Sequence, residues 1–242
     1  MSLSARDRLI VALDLPSVAE AKALADRLGD EVTFYKIGLE LVMSGGLELA
    51  REFAQAGKQV FLDMKLLDIG NTVERATRSA AATGATFLTI HGIDTKTLKA
   101  AAAGRAGTRL KLLAVTVLTS LGEDDLVEQG LSRSVAEMVA HRAKLARDAG
   151  IDGVVASPLE AARVREIVGP DIAIVTPGIR LPEDAAGDQT RLATPQVAIA
   201  AGADYIVAGR PITAAPDPRQ AARIFVESIE EGLTLRSLGA SG

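Results

Sequence analysis

Three charged side chains follow a short apolar run in the middle of the sequence. Residues 60–62 are apolar and β-favouring, which predicts a strand. Side chains alternate along a strand, so Asp63 and Lys65 should point to the same side. Asp68 should lie past the strand end, before a helix that Thr72 begins or caps. An ammonium group between carboxylates stays charged when buried, and it can stabilise negative charge or donate a proton. The alternative for an isolated Asp-x-Lys is a surface salt bridge beside a turn.

The composition narrows the class of protein. The 242 residues are 48% hydrophobic, which is ample for one large core, and we expect a single domain over 1–242 with frayed ends at about 1–6 and 236–242. Cysteine is absent, which excludes disulfides, thiolate metal sites and a cysteine nucleophile. The net charge of −4 argues against general nucleic-acid binding. We find no signal-peptide core and no apolar run of ~18 residues, so we expect a cytoplasmic protein without membrane partners.

Apolar runs rich in β-branched residues alternate with Ala-rich amphipathic stretches along the whole chain. Continuous apolar strands are typical of a parallel sheet buried on both faces, and eight strand–helix units in about 250 residues predict an α/β protein with a (β/α)₈ TIM barrel. A doubly wound sheet is the alternative, but the Gly-rich fingerprint of that fold is missing after the first strand. The predicted strands are 9–13, 32–37, 60–64, 87–90, 112–117, 153–156, 172–175 and 205–208.

A barrel of this kind carries its chemistry at the C-terminal ends of the strands. The first three predicted strands end in Asp14, in Lys36, and in the pair Asp63 and Lys65, so two acids and two lysines should surround one mouth. Taken singly, Asp14 could cap a helix and Lys36 could extend out of an apolar strand. His91, at the end of the fourth strand, is better explained as a core histidine than as a catalytic group.

The last two strands indicate a phosphate site. Loops after strands seven and eight often bind phosphate in this fold, and Gly209-Arg210 offers accessible backbone N–H groups and a guanidinium there. The loop 177–194 is longer than the others and is predicted to be a lid, from which Arg180 and Gln189 could reach a phosphate. The alternative for this loop is a disordered polar excursion.

On these residues the chain resembles orotidine 5′-phosphate decarboxylases of the bacterial type, from about residue 9 to 229. The Asp-x-Lys-x-x-Asp core is shared with sister sugar-phosphate decarboxylases and synthases. The motifs Tyr-Lys-Ile-Gly (35–38) and Thr-Pro-Gly-Ile-Arg (176–180) are more specific to this family. The sequence departs from many relatives at Leu67 and Gly70, which we interpret as turn variation. The motifs are Val-Ala-Leu-Asp (11–14), Tyr-Lys-Ile-Gly (35–38), Phe-Leu-Asp-Met-Lys-Leu-Leu-Asp-Ile-Gly-Asn-Thr-Val (61–73), Thr-Ile-His-Gly (89–92), Val-Leu-Thr-Ser (117–120), Thr-Pro-Gly-Ile-Arg (176–180) and Val-Ala-Gly-Arg-Pro-Ile (207–212).

The resemblance implies decarboxylation of orotidine 5′-phosphate to uridine 5′-phosphate (UMP) and CO₂, the last step of de novo UMP synthesis, with no metal or other cofactor. It implies that Lys65 donates the proton to C6 within a Lys-Asp-Lys-Asp array of Lys36, Asp63, Lys65 and Asp68. It also implies a homodimer in which Asp68 and Thr72 enter the neighbouring subunit's site. The implied substrate contacts are Asp14 and Lys36 at the ribose, Asp63 beside the carboxylate, Thr119 near the base, and Arg180, Gln189, Gly209 and Arg210 mainly around the phosphate.

Two other functions remain open from the sequence. A metal-dependent sugar-phosphate decarboxylase or synthase of the same superfamily would carry an acid for Mg²⁺ at the end of the second strand, where Lys36 would repel a cation. A non-catalytic phosphate-sensing barrel would need the phosphate loop but not the array. The joint presence of Asp63, Lys65 and Asp68 argues against it.

Overall fold

Eight parallel strands close into one barrel in the computed structural model, which describes residues 3–181 and 193–239. Each strand pairs with the next along the chain, and the barrel closes where Val11 lies opposite Ala208. The predicted single-domain (β/α)₈ TIM barrel is therefore confirmed. The strands are β1 Leu9–Ala12, β2 Phe34–Ile37, β3 Gln59–Leu66, β4 Phe87–His91, β5 Lys111–Val115, β6 Gly153–Val155, β7 Ala173–Thr176 and β8 Tyr205–Ala208.

Helices surround the barrel, and polar side chains fix where several of them begin. Ser17 accepts the Glu20 N–H at the start of the first helix, and Ser134 forms a reciprocal capping box with Glu137. The helices are α1 Val18–Leu28, α2 Leu39–Leu41, α3 Leu47–Gln55, α4 Gly70–Ala81, α5 Thr95–Arg105, α6 Glu123–Glu128, α7 Val135–Asp148, α8 Ala161–Val168, α9 Pro195–Ala200, α10 Arg210–Thr213 and α11 Pro218–Gly239. Short 3₁₀ segments span Arg6–Arg8, Gly29–Glu31 and Pro158–Glu160, and a π segment spans Val42–Gly46.

An aromatic layer fills the barrel interior below its mouth. The rings of Phe34 and Phe87 have their centroids 5.1 Å apart, and Tyr205 meets Phe87 edge-on at the same separation. Phe61 completes the layer, with its centroid 6.0 Å from that of Phe87. Strand side chains repeat every second residue, so the next inward positions on β2, β3 and β4 lie directly above these rings. Those positions are polar, and they form the floor of the site.

Charged side chains gather around Asp204 at the opposite, N-terminal end of the barrel. Asp204 accepts the Ile174 N–H at 2.9 Å and forms ion pairs with Arg165 and, at 3.6 Å, with Arg236. Residues 236–239 are helical, and Arg236 connects the end of α11 to this cluster. At the other terminus, Arg6 lies in a 3₁₀ segment. Fraying at about 1–6 and 236–242 stays a prediction.

Candidate active site

Strand β3 is distorted where its charged residues begin. Leu62 lies opposite Leu88 and Leu66 lies opposite Ile90, so three residues of β3 face Thr89 alone. Within this bulge Lys65 has a φ of 48°, the only positive φ of a non-glycine residue in the part of the chain that the structure describes. Asp63 and Lys65 do point to the same side, as predicted, but the strand is not regular there, because Lys65 is a left-handed residue within the bulge.

Four charged side chains from β1 to β3 form a chain of ion pairs at the barrel mouth. Lys36 Nζ lies 2.8 Å from Asp14 Oδ1 and 3.5 Å from Asp63 Oδ2. Lys65 Nζ lies 2.8 Å from Asp63 Oδ1. The order is thus acid, base, acid, base, and each ammonium lies beside a carboxylate. We call Asp14, Lys36, Asp63 and Lys65 the charge array.

Asp63 is the central carboxylate of the array, and it stays ionised at neutral pH. Burial by itself would raise its pKa, but the ammonium groups of Lys36 and Lys65 and hydrogen bonds from Lys65 and Thr89 outweigh burial and lower the pKa below its usual value. The array therefore presents a fixed negative charge between two positive ones. This arrangement can act on a charged reactant without first losing or gaining a proton.

The charge array lines one side of a cavity of about 560 Å³ at the C-terminal end of the barrel. Strands β5, β6 and β8 contribute apolar side chains to the same cavity, among them Val115, Val155 and Val207. A ligand with a charged and an apolar part would therefore be held in one orientation. Thr119, for which the resemblance implies a contact near the base, lines this cavity too.

Two arginines and two glycines line the cavity near β7 and β8. Arg180 lies two residues after Gly178, which has a φ of +78°. The backbone N–H of Arg180 donates to the Ala193 carbonyl at 3.1 Å. Gly209 precedes Arg210, the first residue of α10. Two guanidinium groups at one rim can bind a dianion. Gln189 lies outside the described residues, so its predicted contact stays a prediction.

Asp68 and Thr72 do not line this cavity. Asp68 is exposed, and its Oδ1 accepts the Ile69 N–H at 2.6 Å. Thr72 is an exposed residue in the first turn of α4, whose N-cap is Ile69. The helix begins at Gly70, so Thr72 is its third residue, and the expectation that Thr72 begins or caps the helix is wrong. The Lys-Asp-Lys-Asp order that the resemblance implies therefore lacks its last acid, Asp68, within one chain.

His91 lies on a second cavity, of about 790 Å³, with Arg142 beside it. Burial lowers the pKa of His91, and the charges of Arg142 and Lys65 lower it further. The residue is therefore neutral at neutral pH. It takes no part in the contacts of the charge array.

Sequence reasoning did not single out two residues of the site. A Cβ on Gly38 would lie 2.9 Å from Asp14 Oδ1 and 3.2 Å from Lys36 Nζ, so a side chain there would displace the ion pair. The signal was its place two residues after Lys36. Thr89 bonds both Asp63 and Lys65 from β4. The signal was a polar residue at an inward position of an otherwise apolar strand.

Other kinds of site are not found in the described residues. Across 3–181 and 193–239, no three His, Asp or Glu side chains cluster in a way that would hold a metal ion. No helix in these ranges has the length and apolar composition needed to cross a membrane.

Comparison with known proteins places these features in a family. The family model described as "Orotidine 5'-phosphate decarboxylase / HUMPS family" matches residues 7–225. A protein of Bradyrhizobium sp. named orotidine 5′-phosphate decarboxylase is 56% identical over 233 residues, which is 96% of each chain. A Methylobacterium sp. protein of the same name is 56% identical over 95% of this chain and 98% of its own. The crystal structure of orotidine 5′-phosphate decarboxylase from Lactobacillus acidophilus superposes with a TM-score of 0.82 at 39% identity, covering 91% of this chain and 98% of the other.

Proposed function

Because the chain belongs to the orotidine 5′-phosphate decarboxylase / HUMPS family, we propose that it converts orotidine 5′-phosphate to UMP and CO₂, the last step of de novo UMP synthesis. The observation that carries the proposal is the charge array, with Lys65 Nζ held 2.8 Å from Asp63 Oδ1 at the barrel mouth. A cytoplasmic location stays a prediction from the sequence.

The reaction makes one demand on the protein. The bond between C6 and the carboxylate breaks, its electron pair remains on C6, and the pyrimidine ring cannot delocalise this pair well. An ammonium group placed beside C6 stabilises the developing charge and then donates the proton that completes UMP. Lys65 supplies this group. Asp63 holds it in place and lies beside the substrate carboxylate.

The rest of the cavity binds the parts of the substrate that do not react. Asp14 and Lys36 hold ribose hydroxyls, and Thr119 lies near the base. The phosphate is bound by Arg180, Gly209 and Arg210 on the rim, together with Gln189 from the loop 177–194. Binding energy from the phosphate, remote from C6, can position the reacting carbon against Lys65.

A homodimer with shared sites explains the position of Asp68. This acid is exposed between Leu67, which is half exposed, and Ile69, which is 73% exposed. Large apolar side chains exposed next to each other are typical of a protein interface. In the proposed dimer each chain covers the exposed leucine and isoleucine of the other chain. Asp68 and Thr72 of each chain enter the other chain's site. The array then gains its missing acid.

The proposed reaction needs no metal ion. Lys36 occupies the position where the rival sugar-phosphate enzymes would place an acid for Mg²⁺. Both acids of the array, Asp14 and Asp63, are already paired with ammonium groups. These contacts support the charge array, rather than a cation, as the stabilising group.

A spectrophotometric assay tests the reaction directly. With orotidine 5′-phosphate as substrate, we expect loss of the orotate absorbance at equal rates with and without a chelator. The control is the same assay after Mg²⁺ is added back. Activity that vanished in chelator and returned with Mg²⁺ would favour the metal-dependent rival.

Arg210 provides a test of the phosphate site. We expect Arg210→Ala to lower kcat/KM for orotidine 5′-phosphate roughly 100-fold, because a charge-assisted contact to a dianion is lost. This ratio corresponds to a loss of about 3 kcal/mol of transition-state stabilisation. Orotidine lacks the phosphate, so its kcat/KM should change little. Arg163→Ala is the matched control, since Arg163 is exposed and pairs only with Glu166 in the described contacts. An equal penalty on both substrates would place Arg210 outside the phosphate site.

A further inference from the structure

Thr89 lies at the centre of the distorted part of β3. It is fully buried, and it is the one β4 residue opposite the bulge of three residues that carries Asp63 and Lys65. We propose that Thr89 is a positioning residue of the decarboxylation, whose hydroxyl fixes Asp63 and the backbone of Lys65 relative to each other. The proposal rests on the proposed function for its catalytic part.

The hydrogen bonds of Thr89 have only one possible direction. The Lys65 N–H donates to Thr89 Oγ1 at 2.9 Å, and Thr89 Oγ1 donates to Asp63 Oδ1, also at 2.9 Å. An ionised carboxylate can only accept and a backbone N–H can only donate, so the hydroxyl must accept from one and donate to the other. Lys65 Nζ donates to the same Asp63 Oδ1. These three hydrogen bonds form a closed ring of Thr89, Asp63 and Lys65, and Lys65 is the proposed proton donor.

The conformation of Lys65 makes this ring necessary. A non-glycine residue persists in the left-handed region only where its surroundings hold it there. The bond from the Lys65 N–H to Thr89 is the contact that holds it. Without that acceptor the bulge can relax towards ordinary φ values, and Lys65 Nζ then moves away from its place beside Asp63.

A neighbouring threonine shows what a merely structural role looks like. Thr116, at the end of β5, is also buried, and its hydroxyl donates to the Val155 carbonyl of the next strand. That bond pairs a backbone carbonyl at the end of β6 and involves no residue of the charge array. Both hydrogen bonds of the Thr89 hydroxyl, in contrast, are with residues of the array.

The test is a series of substitutions at Thr89. Thr89→Val keeps the shape of the side chain and removes the hydroxyl. We expect kcat to fall about 10- to 100-fold. The Kd for UMP should change less than about 3-fold, because UMP is bound largely through its phosphate. Thr89→Ser restores the hydroxyl and should recover most of kcat. The matched control is Thr77→Val, since Thr77 is equally buried and its Oγ1 finds no partner among the described residues. Should Thr89→Val fail to fold, Thr89→Ser and Thr89→Ala provide the same comparison.

A second measurement does not depend on activity. NMR titration of the Asp63 carboxyl carbon, assigned with Asp63→Asn, should show a higher pKa in Thr89→Val, because a donor to the ionised form is lost. A folded Thr89→Val protein in which either kcat or the Asp63 pKa was unchanged would overturn the proposal. If the unmutated protein did not decarboxylate orotidine 5′-phosphate, the proposed function would fail, and the titration would still decide whether Thr89 holds Asp63.

Discussion

Lys65→Ala should abolish turnover, with kcat lowered by at least about 10⁴-fold. General acid catalysis contributes about 10²–10⁴-fold and a preorganised charge about 10²–10³-fold, and Lys65 supplies both. The fold should survive, because Asp63 keeps its ion pair with Lys36 and its hydrogen bond from Thr89. Steady-state kinetics and thermal unfolding of the same preparation measure the two effects separately.

Two further substitutions sharpen this result. Lys65→Met keeps the length of the side chain but leaves the acids of the array unbalanced, so it should be as inactive as Lys65→Ala. Lys22→Ala is the matched control, since Lys22 forms an exposed ion pair with Glu52. Such pairs contribute about 0–1 kcal/mol, so activity and stability should change little. Near-normal kcat in a folded Lys65→Ala protein would show that another group protonates C6.

Two inactive variants should regain activity when they share a dimer. We expect Lys65→Ala and Asp68→Asn each to be inactive alone. If Asp68 crosses the interface of a two-fold dimer, a hybrid carries both lesions in one site, and its other site has a native Lys65 and a native Asp68. Unfolding and refolding an equal mixture makes about half of the dimers hybrid, with one of two sites intact. Recovered activity should approach about a quarter of that of the unmutated protein.

A second mixture controls for this recovery. Asp63 and Lys65 lie in the same chain's array, so Asp63→Asn mixed with Lys65→Ala places one lesion in each site of every hybrid. That mixture should stay inactive. If the first mixture also stayed inactive although hybrid dimers were demonstrated in it, Asp68 would serve its own chain and the shared site would be refuted.

Local patterns predicted the barrel well because they depend on neighbours in sequence. The strand Tyr205–Ala208 agrees residue for residue with its prediction, since an apolar run there lies between a charged residue and a glycine. Helix α1 depends on a local signal of the same kind, because it begins at Val18, directly after its N-cap Ser17. The positions of the array at the strand ends follow from the same logic, because parallel strands in a barrel end at one face.

The details that sequence reasoning missed depend on residues far apart in the chain. The predicted third strand stopped at residue 64, but β3 continues to Leu66 through a bulge. In that bulge the Lys65 N–H donates to Thr89, which lies 24 residues further along the chain. The need for a glycine at position 38 arises from the Asp14 carboxylate, which follows another strand, β1. No local periodicity contains such information.

The aromatic layer inside the barrel also governs how strongly the array acts. Phe34 and Phe61 lie one inward position below Lys36 and Asp63, and both rings are buried. Water cannot reach the charges from beneath, so the solvent screens them only from the mouth. The same four charges around a water-filled pore would interact far more weakly, because the Coulomb energy falls in proportion to the effective dielectric constant. A polar or smaller residue in place of Phe61 would therefore reduce the electric field at the reacting carbon, even where every ion-pair distance was preserved.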